Sequence, residues 1–159
     1  MRSEDEMLDT IINAAKEDDR IRAAYLCGSR VNPDAPKDIF QDYDVAYVVT
    51  ETGSLRRDKR WIDRFGKRLY MQYPEDGRTS DAENCYGWLM QFDDGVRLDL
   101  HVNTLNYALS ELKADPLYKI LLDKDGCLPE PPTGAGTHYW VKRPTEAEFQ
   151  YTCNEFGGA

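Results

Sequence analysis

The apolar positions at the start of the chain predict one amphipathic helix followed by two buried strands. Ser3 and Glu6 have the spacing of a capping box, and apolar residues recur behind them at helical intervals as far as residue 15. Two short apolar runs follow, at residues 23–27 and 45–49. Short, continuous runs bounded by turn residues are typical of buried strands.

The middle of the chain predicts a helix, a strand and a β-hairpin. Residues 54–65 have a helical pattern that turns Trp61, Ile62 and Phe65 inward, and residues 68–72 have the character of a strand. Residues 86–92 and 96–102 flank Asp93-Asp94-Gly95, and an Asp-Gly pair between two β-like runs indicates a hairpin. In the second arm, apolar residues alternate with Arg97, Asp99 and His101.

The last third of the chain adds two helices and one strand. Residues 105–113 predict a helix, residues 119–122 a strand, and residues 127–136 an irregular stretch rich in Pro and Gly. Thr145 and Glu148 form a second capping box, which indicates a last helix from about residue 144. Helices and strands interleave without strict alternation, so we expect an α+β fold, a mixed β-sheet flanked by helices.

Length and charge limit the classes of function. The 159 residues suffice for one domain, and the net charge of −9 argues against broad nucleic-acid binding. An acidic cleft would suit a cationic ligand, although solubility alone also explains the charge. No apolar stretch approaches the ~18 residues of a membrane span, and the N-terminus is too acidic for a signal peptide, so we expect a cytoplasmic protein. The four cysteines form no C-x-x-C pair, which makes a zinc site improbable.

The turn after the first strand has the composition of a phosphate-binding loop. Gly28 would let a phosphate approach the backbone closely, Ser29 adds a hydroxyl donor, and Arg30 adds a cation. Taken alone, a Gly-Ser pair after a strand is more often a simple turn.

Three aspartates are candidate ligands for a divalent cation. Asp42 and Asp44 precede and enter the second strand, and residues two apart in extended chain project to the same side. Asp99 lies in the middle of the second hairpin arm, where aspartate is a poor strand former and needs a partner. Each has an ordinary alternative: a solvated turn or helix cap for the pair, and a solvent-facing strand position for Asp99. Together they form a set of oxygen ligands that suits Mg²⁺ and a triphosphate.

The order of these motifs resembles that of the polymerase β-like nucleotidyltransferase superfamily. Several segments resemble the aminoglycoside 6-adenylyltransferases, which inactivate streptomycin; they are residues 28–33, 40–44, 61–66, 121–126, 142–145 and 153–156. The resemblance covers essentially residues 1–156. It implies the polymerase β-like nucleotidyltransferase fold.

The resemblance also implies an activity and roles for the residues of the motifs. The activity is transfer of AMP from Mg-ATP to a hydroxyl of streptomycin, with release of pyrophosphate. Ser29 and Arg30 would contact the triphosphate. Asp42 and Asp44 would bind two Mg²⁺ ions. Asp99 would bind the catalytic ion and help to take the hydroxyl proton.

Members of the family continue into a second, helical domain, so we expect residues 1–159 to form the nucleotidyltransferase domain without that helical domain. Two other functions stay open. One is an isolated nucleotide-binding domain that lacks acceptor activity, and the other is nucleotidyl transfer to a protein or an RNA, which the acidic balance makes less attractive. The pattern predicts no particular oligomeric state.

Overall fold

The computed structural model of the chain describes residues 1–76, 82–132 and 144–157, the last helix from residue 152 onward by its backbone only. Six strands lie in these segments: β1 (Ile21–Cys27), β2 (Tyr43–Val49), β3 (Arg68–Gln72), β4 (Cys85–Phe92), β5 (Arg97–Thr104) and β6 (Lys119–Asp123). The α-helices are α1 (Glu4–Glu17), α2 (Gly53–Arg57), α3 (Leu105–Ala114) and α4 (Glu146–Gly157). Two short 3-10 helices cover Gly28–Val31 and Trp61–Phe65.

The six strands form one mixed sheet in the order β3-β4-β5-β2-β1-β6. β2 and β5 run parallel, and the other neighbouring pairs are antiparallel. The two central parallel strands are therefore neighbours in space although more than 45 residues separate them along the chain. The predicted mixed sheet flanked by helices is confirmed.

Alternation along the central strands separates an apolar face from a chemically active one. On one face Val45, Tyr47, Leu98 and Leu100 are buried in the larger core together with α1 and Trp61–Phe65. Their sequence neighbours point to the other face, where a smaller core forms against α3; its members include Ala23, Tyr25, Ala46, Val48, Ala108 and Leu112. Since side chains alternate along a strand, even-numbered residues of β2 and odd-numbered residues of β5 share this second face.

The two predicted capping boxes are confirmed. At the start of α1, Glu6 N–H donates to Ser3 Oγ at 3.2 Å and Ser3 N–H donates to the Glu6 carboxylate at 2.7 Å. Thr145 and Glu148 make the same reciprocal pair at the start of α4. The hairpin is also confirmed, with Gly95 at a φ of 88° in the turn. Residues 133–136 of the predicted irregular stretch lie outside the described segments.

The single helix predicted over residues 54–65 is wrong. The segment forms α2, which ends at Arg57, and then a separate 3-10 turn, Trp61–Phe65. Trp61 explains the break, because its ring packs edge-on against Tyr47 and Phe65 at centroid distances of 6.1 and 5.5 Å. Tertiary packing of this ring outweighs the local helical preference of the charged residues between the two segments. The inward positions of Trp61, Ile62 and Phe65 are confirmed.

None of the helices in the described segments combines the length and apolar character that a bilayer span requires.

Asp18, which is partly buried, ties the turn after α1 to two distant parts of the chain. Asp18 accepts hydrogen bonds from the Arg20 guanidinium at 2.6 and 2.9 Å and from Trp61 Nε1 at 2.9 Å. The Asp18 backbone carbonyl also accepts from Lys124 Nζ at 3.0 Å, so this lysine has a structural role here. The Arg20 hydrogen bonds lower the pKa of Asp18 to about 2.

We expect Asp18→Asn to destabilise the fold at neutral pH. The pKa of Asp18 is lowered from 3.8 to about 2 in the folded chain, and the linked stabilisation is on the order of 2 kcal/mol. A lowered folded-state pKa stabilises above the unfolded value and loses that effect as the pH falls toward 2. Urea unfolding at pH 7 should therefore show a loss of about 1–2 kcal/mol, and the gap between variant and wild type should shrink at pH 3. Asp19→Asn, an exposed neighbour, is the matched control; equal losses in the two variants would contradict this role.

Candidate active site

The parallel pairing of β2 with β5 brings the predicted aspartates together. In that register Asp44 lies directly opposite Asp99, and Asp42 immediately precedes β2 on the same face. One carboxylate oxygen from each of the three residues lies within 4.8 Å of the others. The three side chains come from two segments that are far apart in sequence, so only the folded sheet creates the cluster.

The cluster is partly shielded from water, and its charges repel one another. The Asp42 side chain is 30% exposed and that of Asp99 only 13%. Burial, together with the nearby charges of Asp42 and Asp99, raises the pKa of Asp44 to about 6. A group of carboxylates held in this way favours the binding of a cation.

Arg97 supplies part of the missing positive charge within the protein. Its Nε and Nη2 atoms donate to the two oxygens of Asp99 at 3.1 and 2.9 Å, and Nε lies 3.7 Å from Asp42 Oδ2. The sequence placed Arg97 on the same strand face as Asp99 but gave it no role. Its spacing of two residues from Asp99 could have indicated a contact with that carboxylate. The approach of Asp42 to Arg97 could not be predicted, because it depends on how the strands pair.

Gly28 makes room for the cluster. It has a φ of 71°, a region that favours glycine, and a methyl group at this position would overlap the Asp44 carboxylate. Cys27, which precedes it, pairs with Asp44 across β1 and β2. The structure therefore gives Gly28 a packing role that the sequence did not indicate, since the sequence suggested only close approach of a phosphate.

The two residues after Gly28 lie in the 3-10 turn beside the carboxylates. Ser29 Oγ accepts a hydrogen bond from Gln41 Nε2 at 3.4 Å. The Arg30 guanidinium donates to the backbone carbonyls of Gln41 and Asp42, each at 2.7 Å, and lies 3.7 Å from the centre of the Tyr43 ring. Arg30 thus holds the backbone that carries Asp42. Contact of Ser29 or Arg30 with a phosphate stays a prediction.

The donor set fits a hard divalent cation. Three carboxylates with mutually close oxygens match the oxygen ligands that Mg²⁺ prefers, and the crowding at Asp44 would be relieved by such an ion. His101, two residues beyond Asp99, does not belong to this oxygen cluster; its ring packs over Gly87, where an added methyl carbon would lie 2.6 Å from Cδ2.

Comparison with known proteins gives a consistent match along the chain. A family profile described as streptomycin adenylyltransferase matches residues 1–157. An aminoglycoside 6-adenylyltransferase of Bacillus subtilis (strain 168) is 43% identical over 98% of this chain and 56% of its own length. One of the same name from Campylobacter jejuni is 42% identical over 98% of this chain and 54% of its own length.

A solved structure supports the same relationship at the level of the fold. The crystal structure of an aminoglycoside 6-adenyltransferase from Bacillus subtilis superimposes with a TM-score of 0.67 and 36% sequence identity, over 98% of this chain and 53% of that one. The chain thus spans about half the length of the relatives that it matches.

We expect Gly28→Ala to weaken divalent-cation binding by displacing Asp44. Calorimetric titration with Mn²⁺ should show that the variant binds the ion about tenfold more weakly or worse. Losses of this size follow when the groups that orient a metal ligand are disturbed.

Gly126→Ala is the matched control for this substitution. Gly126 has a similar φ of 61° but no atom within 4 Å of the added methyl position, so both variants carry comparable backbone strain. Equal cation affinities in the two variants would show that Gly28 does not control the position of Asp44.

Proposed function

Since this chain belongs to the streptomycin adenylyltransferase family, we propose that it is the nucleotide-binding and catalytic half of an aminoglycoside nucleotidyltransferase. The proposed reaction transfers AMP from ATP to a hydroxyl of streptomycin. The observation that carries the proposal is the convergence of Asp42, Asp44 and Asp99 on one face of the sheet. A cytoplasmic location belongs to the same proposal, because ATP is the donor.

The three aspartates would hold Mg²⁺ in this proposal, with two ions expected. When bound, these ions neutralise the triphosphate and lower the pKa of the attacking hydroxyl. The contribution of the protein is positional, because the β2–β5 register fixes Asp44 against Asp99 before any ligand arrives. Arg97 holds Asp99 in place through two hydrogen bonds and keeps its carboxylate oriented toward Asp42.

The donor nucleotide is proposed to lie beside Gly28, Ser29 and Arg30. The Ser29 hydroxyl is a donor at this turn, and Gly28 holds the turn close to the Asp44 carboxylate. Most of the Arg30 guanidinium is committed to the carbonyls of Gln41 and Asp42, so its main proposed role is to hold Asp42 in position. This role is compatible with an additional contact to the triphosphate.

The chemical step is a displacement at the α-phosphorus. The acceptor hydroxyl oxygen forms a bond to that phosphorus, the bond to the departing pyrophosphate breaks, and the hydroxyl proton leaves the oxygen. Asp99 lies in the cluster and is proposed to help to take that proton. An acceptor with amino or guanidino groups also suits a chain with a net charge of −9.

The two alternatives from the sequence differ from this proposal in their products. An isolated module would bind Mg-ATP without forming adenylylated drug. Transfer to a protein or an RNA would leave the drug unmodified while labelling another acceptor. The acidic charge disfavours RNA because phosphates would be repelled.

The proposal predicts that protein, Mg-ATP and streptomycin together yield pyrophosphate and adenylylated streptomycin, and that EDTA stops the reaction. Asp42→Asn should lower turnover by about a hundredfold or more, because it removes a ligand charge that stabilises the transition state. Mass spectrometry of the drug and a coupled pyrophosphate assay measure the two products.

Asp38→Asn is the matched control for Asp42→Asn. Asp38 lies in the same loop and is exposed, and its carboxylate accepts from Phe40 N–H at 2.7 Å. Thermal melting of both variants separates a loss of chemistry from a loss of folding. Full turnover by a folded Asp42→Asn protein would contradict the role of Asp42 as a metal ligand. Release of pyrophosphate without modified streptomycin would contradict streptomycin as the acceptor.

A further inference from the structure

Arg97 binds both oxygens of Asp99. Its Nη2 and Nε atoms donate to the two oxygens at 2.9 and 3.1 Å, and Nε also lies 3.7 Å from Asp42 Oδ2. The guanidinium therefore contacts two of the three carboxylates that are the proposed ligands of the cation. Asp44 makes no ion pair among the described residues, so one arginine faces three carboxylates and the cluster still attracts a cation.

A divalent cation bound to Asp99 would lie very close to this guanidinium. Mg²⁺ binds carboxylate oxygens at about 2.1 Å, so an ion on the oxygen that Nη2 contacts would lie no more than about 5 Å from that nitrogen. The Asp99 side chain is only 13% exposed, which limits the screening of charge by water. The ion and the guanidinium would repel each other at this distance, so they compete for Asp99.

The Arg97 side chain has a second place to lie. It is 45% exposed, and a cavity of about 110 Å³ beside it is lined from β3 by Tyr70 and Gln72 and from β4 by Leu89 and Gln91. Tyr70 pairs with Gln91, and Gln91 pairs with Arg97, so the three side chains share one face of the sheet. The Tyr70 hydroxyl and the Gln91 amide oxygen are acceptors for a guanidinium. Arg97 can therefore turn away from the carboxylates and still find partners.

We infer that Arg97 and a divalent cation bind Asp99 in alternation: the guanidinium orients the carboxylate, and an arriving ion displaces it toward Tyr70 and Gln91. Arg97 is thus a positioning residue that leaves Asp99 when the cluster takes up its ion. The inference rests on the proposed function, because it takes the aspartate cluster as the site of the catalytic cations. It requires that Arg97 opposes cation binding, whereas a group that only orients a metal ligand strengthens it.

The opposite signs of these two effects make calorimetric titration with Mn²⁺, without nucleotide, the test. We expect Arg97→Gln to bind Mn²⁺ about five- to tenfold more tightly than the wild type, because a mobile guanidinium opposes the ion only in part. Arg97→Lys keeps the charge but loses the paired hydrogen bonds, so it should bind Mn²⁺ about two- to threefold more tightly. Thermal melting checks that each variant is folded.

Arg22→Gln is the matched control. Arg22 lies on β1, and its Nε and Nη2 atoms also donate to both oxygens of one aspartate, Asp125, which lies outside the carboxylate cluster. This variant changes the net charge equally and should bind Mn²⁺ like the wild type. Unchanged or weaker binding by Arg97→Gln, wild-type affinity in Arg97→Lys, or equal tightening in the control would overturn the inference.

A second measurement uses the wild-type chain alone, so it does not depend on the folding of a variant. In proton–nitrogen NMR spectra, the Arg97 Nε–H signal should shift when Mg²⁺ is added, while the Arg22 Nε–H signal should stay in place. An unchanged Arg97 signal, with Mg²⁺ binding detected by calorimetry, would overturn the inference and leave the proposed function intact. Absence of any cation binding would overturn the inference together with the metal role of the aspartates, and the adenylylation assay tests the proposed reaction independently.

Discussion

Opposition of two like charges across a parallel strand pair is the constraint on which the rest of the site depends. Asp44 and Asp99 face each other because β2 and β5 pair in one register. The apolar residues that alternate with them along these strands anchor that register in the larger core. Burial of the opposite face in turn supplies the free energy that holds the carboxylates near one another. The raised pKa of Asp44 is the electrostatic cost of this arrangement.

The surroundings of the three carboxylates organise them in separate ways. Arg97 binds Asp99 on the exposed side, Arg30 fixes the backbone of Asp42, and Gly28 leaves the space that the Asp44 carboxylate occupies. The cluster is therefore organised by its neighbours in the protein before any cation binds, which is the preorganisation that electrostatic catalysis requires.

Much of the fold could be predicted because its signals are local. The capping boxes, the Asp-Gly hairpin and the alternation along β5 each depend on a few adjacent residues. The division of residues 53–65 into two segments could not be predicted, since it follows from contacts of Trp61 with distant rings. For the site, the three aspartates were visible as residue types. Two other features of the site require the parallel pairing of two strands, which no local pattern encodes. They are the register of the aspartates and the approach of Arg97 to Asp42.

The strict alternation of β5 has a consequence for tolerance to change in length. Inserting one residue in the hairpin turn at Asp93-Asp94-Gly95 lengthens a surface loop and leaves the strand's orientation unaltered. Inserting one residue between Leu98 and Asp99 would rotate every later side chain by half a turn, so that Leu100 would point toward α3 and His101 into the apolar core. A one-residue shift within β5 would therefore disrupt the apolar core and the carboxylate cluster together.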